Sequence, residues 1–265
     1  GPTQLDQDML DWLRAHEVPH SVVATKHDKV KSSHRDRRRK ERPSQQSQQS
    51  SIDDTYDEER NPSFKAACNA LYCETIKYHM EESGVGDMDE FHLDGPSART
   101  TKALIAAGVS AHRIYVANTC PKTCAALRML KAGQGGPRNL YEGTAEKFLA
   151  TCPETLRFDA AYFDFCGALV EDKIETLKTF LGRCAADQCV LAVTLYTGRY
   201  RANCVDSMDA DVVDAANSLH KALDVAGQLG AIITRYGYKH TLRASRTDPV
   251  KGGTMVFVTY FIERV

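Results

Sequence analysis

The sequence predicts an α/β fold, a seven-stranded, mostly parallel, doubly wound sheet that ends in a C-terminal antiparallel hairpin. Three observations carry this. Short apolar runs alternate with helix-length amphipathic stretches from residue 91 to residue 228, which implies right-handed crossovers and a sheet covered on both faces. Several runs stop at small or polar residues, as at Leu93-Asp94-Gly95, Ala117-Asn118-Thr119 and Asp164-Phe165-Cys166-Gly167. In an open parallel sheet the ligand crevice lies outside those carboxyl ends. Finally the rhythm breaks: Ala231 to Tyr238 and Met255 to Glu263 read as two strands with no helix between them, joined by the Lys/Arg-rich segment 239–251, as in an edge hairpin.

From the N-terminus, residues 1–25 hold a short amphipathic helix, with Leu5, Met9, Leu10, Trp12 and Leu13 at helical spacing over residues 5–16. It either docks on the main domain or serves a protein partner. Residues 26–60 read as a disordered linker, because nine Lys/Arg against three Asp/Glu in residues 26–42, a Gln/Ser run and an acidic patch cannot bury a core. The basic run is a candidate for nucleic-acid phosphate or nuclear import, or is simply solvated. The ordered domain spans 61–265 and opens at the capping-type Asn61-Pro62-Ser63. Its first helix runs through Met80, with Phe64, Ala67, Cys68, Leu71, Thr75 and Tyr78 expected inward. The alternation that follows is strand 91–93, helix 97–107, strand 113–117, helix 121–131, strand 138–141, helix 145–150, strand 158–163, helix 171–185, strand 189–195 and helix 209–228.

Composition narrows the class. At 265 residues, 42% hydrophobic and 26% charged, the chain suits one α/β domain with an appendage. A net charge of -1 gives no global argument for nucleic acid or membrane, so any such argument is local. No apolar run approaches the roughly 18 residues that span a bilayer, and no membrane association is expected. Nine cysteines, an odd number scattered through the predicted elements, suggest free thiols in a reducing compartment, hence an intracellular location in nucleus or cytoplasm. The pairs Cys68/Cys73 and Cys120/Cys124 lack His/Cys partners at zinc spacing, so no metal is expected.

The layout from Phe91 to Val265, five α/β units and a terminal hairpin with one strand inserted antiparallel, resembles the class I, Rossmann-like S-adenosylmethionine-dependent methyltransferases, with degenerate motifs. The resemblance implies S-adenosyl-L-methionine as cofactor and assigns its contacts. Asp94, Gly95 and Ser97 stand where the family carries the methionine part on a glycine-rich turn, although Pro96, Ser97 and Ala98 replace the usual second and third glycines. Asn118 and Thr119 stand where an acid ordinarily binds the ribose hydroxyls; an amide accepts one hydroxyl hydrogen bond and donates another, without charge assistance. Gly143 and Thr144 stand where the adenine amino group is met, and Thr144 serves a helix cap equally well. Asp164, Phe165 and Cys166 occupy the catalytic position, with Asp164 also facing the cofactor. Cys166 reads either as a nucleophile of the kind that adds to a pyrimidine ring or as a buried thiol.

Local basic sites set the expected partner. Arg199 and Arg201 after the fifth strand, and Arg235, Lys239, Arg243 and Arg246 interleaved with tyrosines, suit phosphate pairing and base stacking, so RNA or DNA is the expected substrate. The competing reading is a catalytically inactive methyltransferase-like subunit that binds a protein or nucleic acid, because the glycine turn is degenerate and the ribose acid is missing. A nicotinamide-dependent oxidoreductase is disfavoured, since no G-x-G-x-x-G turn follows the first strand.

Overall fold

The computed structural model describes residues 62–84, 86–130, 135–165, 167–198, 210–250 and 253–265. The predicted N-terminal helix and linker lie outside the described residues, as do Cys166, Arg199 and Arg201. The elements are α1 (Pro62–Ser83), β1 (Glu90–His92), α2 (Arg99–Ala106), β2 (Ile114–Asn118), α3 (Pro121–Met129), β3 (Asn139–Glu142), α4 (Ala145–Thr151), β4 (Phe158–Asp164), α5 (Glu171–Thr179), β5 (Ala185–Gly198), α6 (Ala210–Arg235), β6 (Tyr238–Val250) and β7 (Gly253–Arg264). A π-helical turn, Phe180–Cys184, carries α5 into β5.

The seven strands form one sheet in the order β3-β2-β1-β4-β5-β7-β6. Strands β1 to β5 pair in parallel, and β7 lies antiparallel between β5 and β6. Strand order therefore reverses between β1 and β4, the switch point at which a doubly wound sheet opens a crevice. The predicted layout is the observed one.

Alternation in β4 shows how the sheet fills both layers. Phe158, Ala161 and Phe163 join a core with Phe91, Phe180, Leu191, Leu229 and Tyr260, beneath α4, α5 and α6. Ala160 and Tyr162 face the opposite core, with Phe64, Tyr72, Leu104, Val116 and Leu127 from α1, α2, β2 and α3. A strand buried on both faces reads as a near-continuous apolar run, as this one does. Each fully buried Phe contributes about 1.5–3 kcal/mol.

Two expectations need correction. The buried stripe of α1 steps through Phe64, Cys68, Tyr72 and Ile76, not through Leu71 and Tyr78, and Tyr78 is 46% exposed. Tyr72 is drawn inward because its hydroxyl donates to Glu90 Oε1 at 2.9 Å, a partner that the helix pattern alone does not reveal. The second correction concerns Ala231 to Tyr238, expected as strand; α6 continues through Arg235, and Gly237, at φ 79°, makes the turn into β6. Ala222, Val225, Leu229 and Ile233 hold one helical face against the core, so the i, i+3/i+4 period outweighs the β-branched run Ile232-Ile233. The Lys/Arg-rich segment expected as a connector is β6 itself, the edge strand. Lys and Arg on an exposed edge discourage pairing with other chains.

Candidate active site

The end of β1 is built on charge. Alternation places Glu90, His92 and Asp94 on one side of the chain, all buried. His92 lies between the two carboxylates, with Nδ1 2.7 Å from Glu90 Oε2 and Nε2 3.2 Å from Asp94 Oδ2. Burial alone would push the imidazole pKa down, but Glu90 and Asp94 outweigh it and raise it to about 10. His92 is therefore an imidazolium that donates from both nitrogens. Asp94 also accepts from the backbone N–H groups of Gly95, Thr100 and Thr101 at 3.0, 3.4 and 2.9 Å, and from Thr101 Oγ1 at 2.8 Å. Burial raises its pKa, and the bonds from His92 and Thr101 more than reverse that, holding the carboxyl below its ordinary range. Asp94 thus occupies the N-terminus of α2, where helix amides would otherwise meet an external anion. Ala98 takes a left-handed φ of 52° just before α2, at the place of the missing glycine. The backbone bend is kept at a cost of about 1–2 kcal/mol.

Asn118 ties two strand ends together. Its Nδ2 donates to the Asp94 carbonyl at 2.8 Å, and its Oδ1 accepts from the Cys120 N–H at 2.7 Å. Both ends of the amide are thereby engaged. The Gly143 N–H donates to the Asn118 carbonyl at 2.9 Å, and a Cβ at Gly143 would stand 2.5 Å from the Tyr141 ring, so a larger residue there would have to displace that ring. Thr144 caps α4, its Oγ1 accepting from the Lys147 N–H at 3.1 Å. Its hydroxyl proton is not used in that bond.

At the end of β4, Asp164 meets Lys65 from α1 at 3.6 Å. Burial pushes the Asp164 carboxyl up, Lys65 pulls it part of the way back, and Asp94 adds to the rise. Phe165 is 7% exposed and stacks on Phe163 at 5.5 Å, while Lys173 Nζ sits 5.6 Å from its ring centre and donates to the Ala168 carbonyl. Phe165 is thus as much core as site wall.

These strand ends enclose a cleft of about 410 Å³, within the range of small-molecule sites. Leu93 and Asp94 after β1, Asn118 and Thr119 at the end of β2, and Gly143 and Thr144 after β3 line it. Asp164 and Phe165 at the end of β4 and the first turns of α4 and α5 complete the lining. Of the residues expected at the cofactor, Asp94, Asn118, Thr119, Gly143, Thr144 and Asp164 converge here; Gly95 lines a small adjoining cavity, and Ser97 lines neither. Sequence reading missed Lys65, Glu146, Asp172, Lys173 and Thr176. Asp172 and Lys173 look like an exposed first helical turn, and nothing in the order of residues links Lys65 to β4.

The expected nucleic-acid residues do not form one patch. β6 runs parallel to β5, since β7 is antiparallel to both, so Lys239 lies toward the amino edge and Arg246 toward the carboxyl edge. Seven residues of strand separate them by about 23 Å. Arg235 ends α6 on the amino side, away from the cleft. Arg243 stacks on Tyr78 at 4.7 Å and approaches Phe261 at 5.8 Å. Arg246 lies close enough to Cys68 on α1 to act on its thiol.

No protein-family model matches the sequence, and no curated protein matches it either. Solved structures do. The plantazolicin methyltransferase BpumL in complex with SAH is similar at a TM-score of 0.51 and 9% identity, over 77% of this chain and 87% of that one. A putative sarcosine dimethylglycine methyltransferase from Galdieria sulphuraria (TM-score 0.46, 13% identity, 72% and 85% covered) and an rRNA methylase from Streptococcus thermophilus (0.42, 15%, 75% and 96%) also match. No helix among the described residues is long and apolar enough to cross a membrane. Together with the strand order and the inserted antiparallel β7, the likeness to BpumL shows that this chain has the α/β fold of the class I S-adenosylmethionine-dependent methyltransferases.

Proposed function

We propose that the cleft binds S-adenosylmethionine and that the protein transfers its methyl group to a substrate presented at Asp164. The convergence of four strand ends on one cleft carries this reading. The donor set fits such a cofactor. Among the described lining residues Glu146, Asp164 and Asp172 stand with one cation, Lys173; Asp94 is already matched by His92, and Asp164 has Lys65 beside it from α1. An acidic cleft suits a ligand with sulfonium and ammonium charges and repels a pyrophosphate. Gly143 and Ala145 leave room beside Thr144, whose hydroxyl proton is not used in the helix cap and suits an acceptor such as an adenine nitrogen.

When bound, the cofactor supplies a methyl group on cationic sulfur, an electrophile with a good leaving group. The chain's residues then position and desolvate. Asp164 accepts a hydrogen bond or proton from the incoming nucleophile at Oδ, with Lys65 holding the carboxylate in place. Asp94 acts through α2, fixing the loop after β1 that lines the cleft. Arg246, on the cleft side of β6, makes RNA and DNA oligonucleotides one arm of the transfer assay.

A second reading, a binding subunit without transfer, is favoured by one observation: the Asp94 carboxylate is saturated by bonds within the protein, and both ends of the Asn118 amide already hold a partner there. Calorimetric titration with S-adenosylmethionine and S-adenosylhomocysteine tests both readings. Micromolar binding that is lost in Thr119→Trp, a substitution at an exposed cleft residue, supports the cofactor site. Absence of binding at millimolar cofactor overturns it, and binding without transfer to RNA, DNA or protein favours the silent subunit.

A further inference from the structure

A groove of about 790 Å³ runs between α1 and α2. It shares Asn69 and Arg99 with a small cavity of about 20 Å³, which in turn shares Leu93, Asp94 and Asp164 with the cleft. Contiguous lining residues therefore lead from the groove to the strand ends. Its walls are mostly alanine, Ala66 and Ala70 from α1, Ala103 and Ala106 from α2 and Ala107 just after it, with Pro62, Asn69 and Cys73 from α1. Side chains this small let the backbone of another helix approach to the lower end of the usual 8–10 Å interaxial distance. Lys77, Arg99 and Lys102 stand along its rim against one acid, Glu74. Among the described residues no carboxylate lies within ion-pair distance of those three cations.

We infer that this groove docks an acidic amphipathic helix of a partner protein, with its apolar stripe on the alanines and its flanking carboxylates on Lys77, Arg99 and Lys102. The chemistry of the walls decides between a polypeptide and a nucleic acid strand. None of the described lining residues is aromatic, so bases find no stacking surface, whereas an apolar floor with a cationic rim matches the helix-in-groove mode. Three cations against one acid select for carboxylates and reject a basic helix. Docking is independent of the cofactor reading, because it concerns the outer faces of α1 and α2 and is measured with no cofactor present.

The test uses fluorescence anisotropy on the full chain with a labelled synthetic helix of about 18 residues, Leu and Ala along one stripe and Glu on the flanks. A matched peptide with Lys in place of Glu, and poly(U) and poly(dT) oligonucleotides, are the other arms. The Glu peptide is expected to bind, to weaken as salt rises, and to lose about tenfold or more in affinity in the Lys77→Glu/Lys102→Glu variant. Ala70→Arg, which fills the groove from an exposed position, is expected to abolish binding while the thermal unfolding curve stays in place. The inference is overturned if the Glu peptide fails to bind at millimolar concentration, if both variants bind it as the wild type does, or if the Lys peptide or an oligonucleotide binds the groove more tightly.

Discussion

Two aspartates end two neighbouring strands, and the protein treats them differently. Asp94, after β1, accepts bonds from three backbone amides, a threonine hydroxyl and a buried imidazolium. Asp164, ending β4, faces the same cleft and meets a lysine at 3.6 Å from a separate helix. The first carboxyl is held below its ordinary range and the second is pushed above it. A carboxylate with every lone pair matched is architecture; one that, among the described residues, meets one lysine at 3.6 Å and has a raised pKa is available for proton chemistry. The comparison also explains how α2 forms without the glycines expected before it. Asp94 and the left-handed Ala98 provide from within the chain the bend and the anion that a glycine turn and an external carboxylate would provide.

The largest expected effect breaks the first region. His92→Leu leaves Glu90 and Asp94 buried without their shared cation, and removing one partner from a buried charge network costs about 3–5 kcal/mol. Chemical denaturation should show that loss as a lower midpoint with little change in slope. Asp164→Asn is expected to do the reverse, reducing methyl transfer about a hundredfold or more while the midpoint holds, as follows for a proton-transfer group. Equal losses of stability at both positions would remove the distinction between them.

Titration separates the two regions further. The folded-state pKa of His92 is raised to about 10 from an ordinary 6.5, so its contribution to stability is complete below pH 6.5 and is lost as pH rises through about 10. Asp94 is lowered, so its contribution is present above the ordinary carboxylate range and is lost in acid. Unfolding free energy measured against pH should therefore fall on the alkaline side, and His92→Leu should flatten that limb. For Asp164 the raised carboxyl must lose its proton to act as a base, so the acid limb of the transfer rate should lie above the ordinary Asp range, and Lys65→Met should move it higher. A limb that Lys65→Met leaves in place would show that the ion pair does not govern Asp164. The smallest effect belongs to the cap: Thr144→Ala should cost about 1 kcal/mol of stability, read from thermal unfolding.

Much of this was legible in the order of residues, and the exceptions have physical causes. The strand ends were visible because a run buried on both faces has to stop where polar residues begin, as at Asp164, and the mostly parallel pairing follows from the alternation of strands and helices. Six of the eight residues expected at the cofactor line one cleft for that reason. Pairing across the sequence was not legible. Lys65 and Asp164 lie in elements far apart along the chain, and the roles of Asp94 and Asn118 depend on amides that local spacing does not place. One signal was present and unread: Glu90, His92 and Asp94 alternate with Phe91 and Leu93, which puts two acids and a base on one side of a strand. Lys239 and Arg246 were grouped because they are close in sequence, but β6 is extended and sends them to opposite edges.

The most direct measurement is thermal unfolding of the wild type, Asp94→Asn and Asp164→Asn, each with and without S-adenosylhomocysteine. Asp94→Asn should lower the midpoint by about 6–12 °C, the equivalent of about 3 kcal/mol in a domain of this size, whereas Asp164→Asn should leave it within a few degrees and still be stabilised by the ligand. A stable Asp94→Asn that no longer responds to ligand, beside a destabilised Asp164→Asn, would contradict the division of roles between the two strand ends.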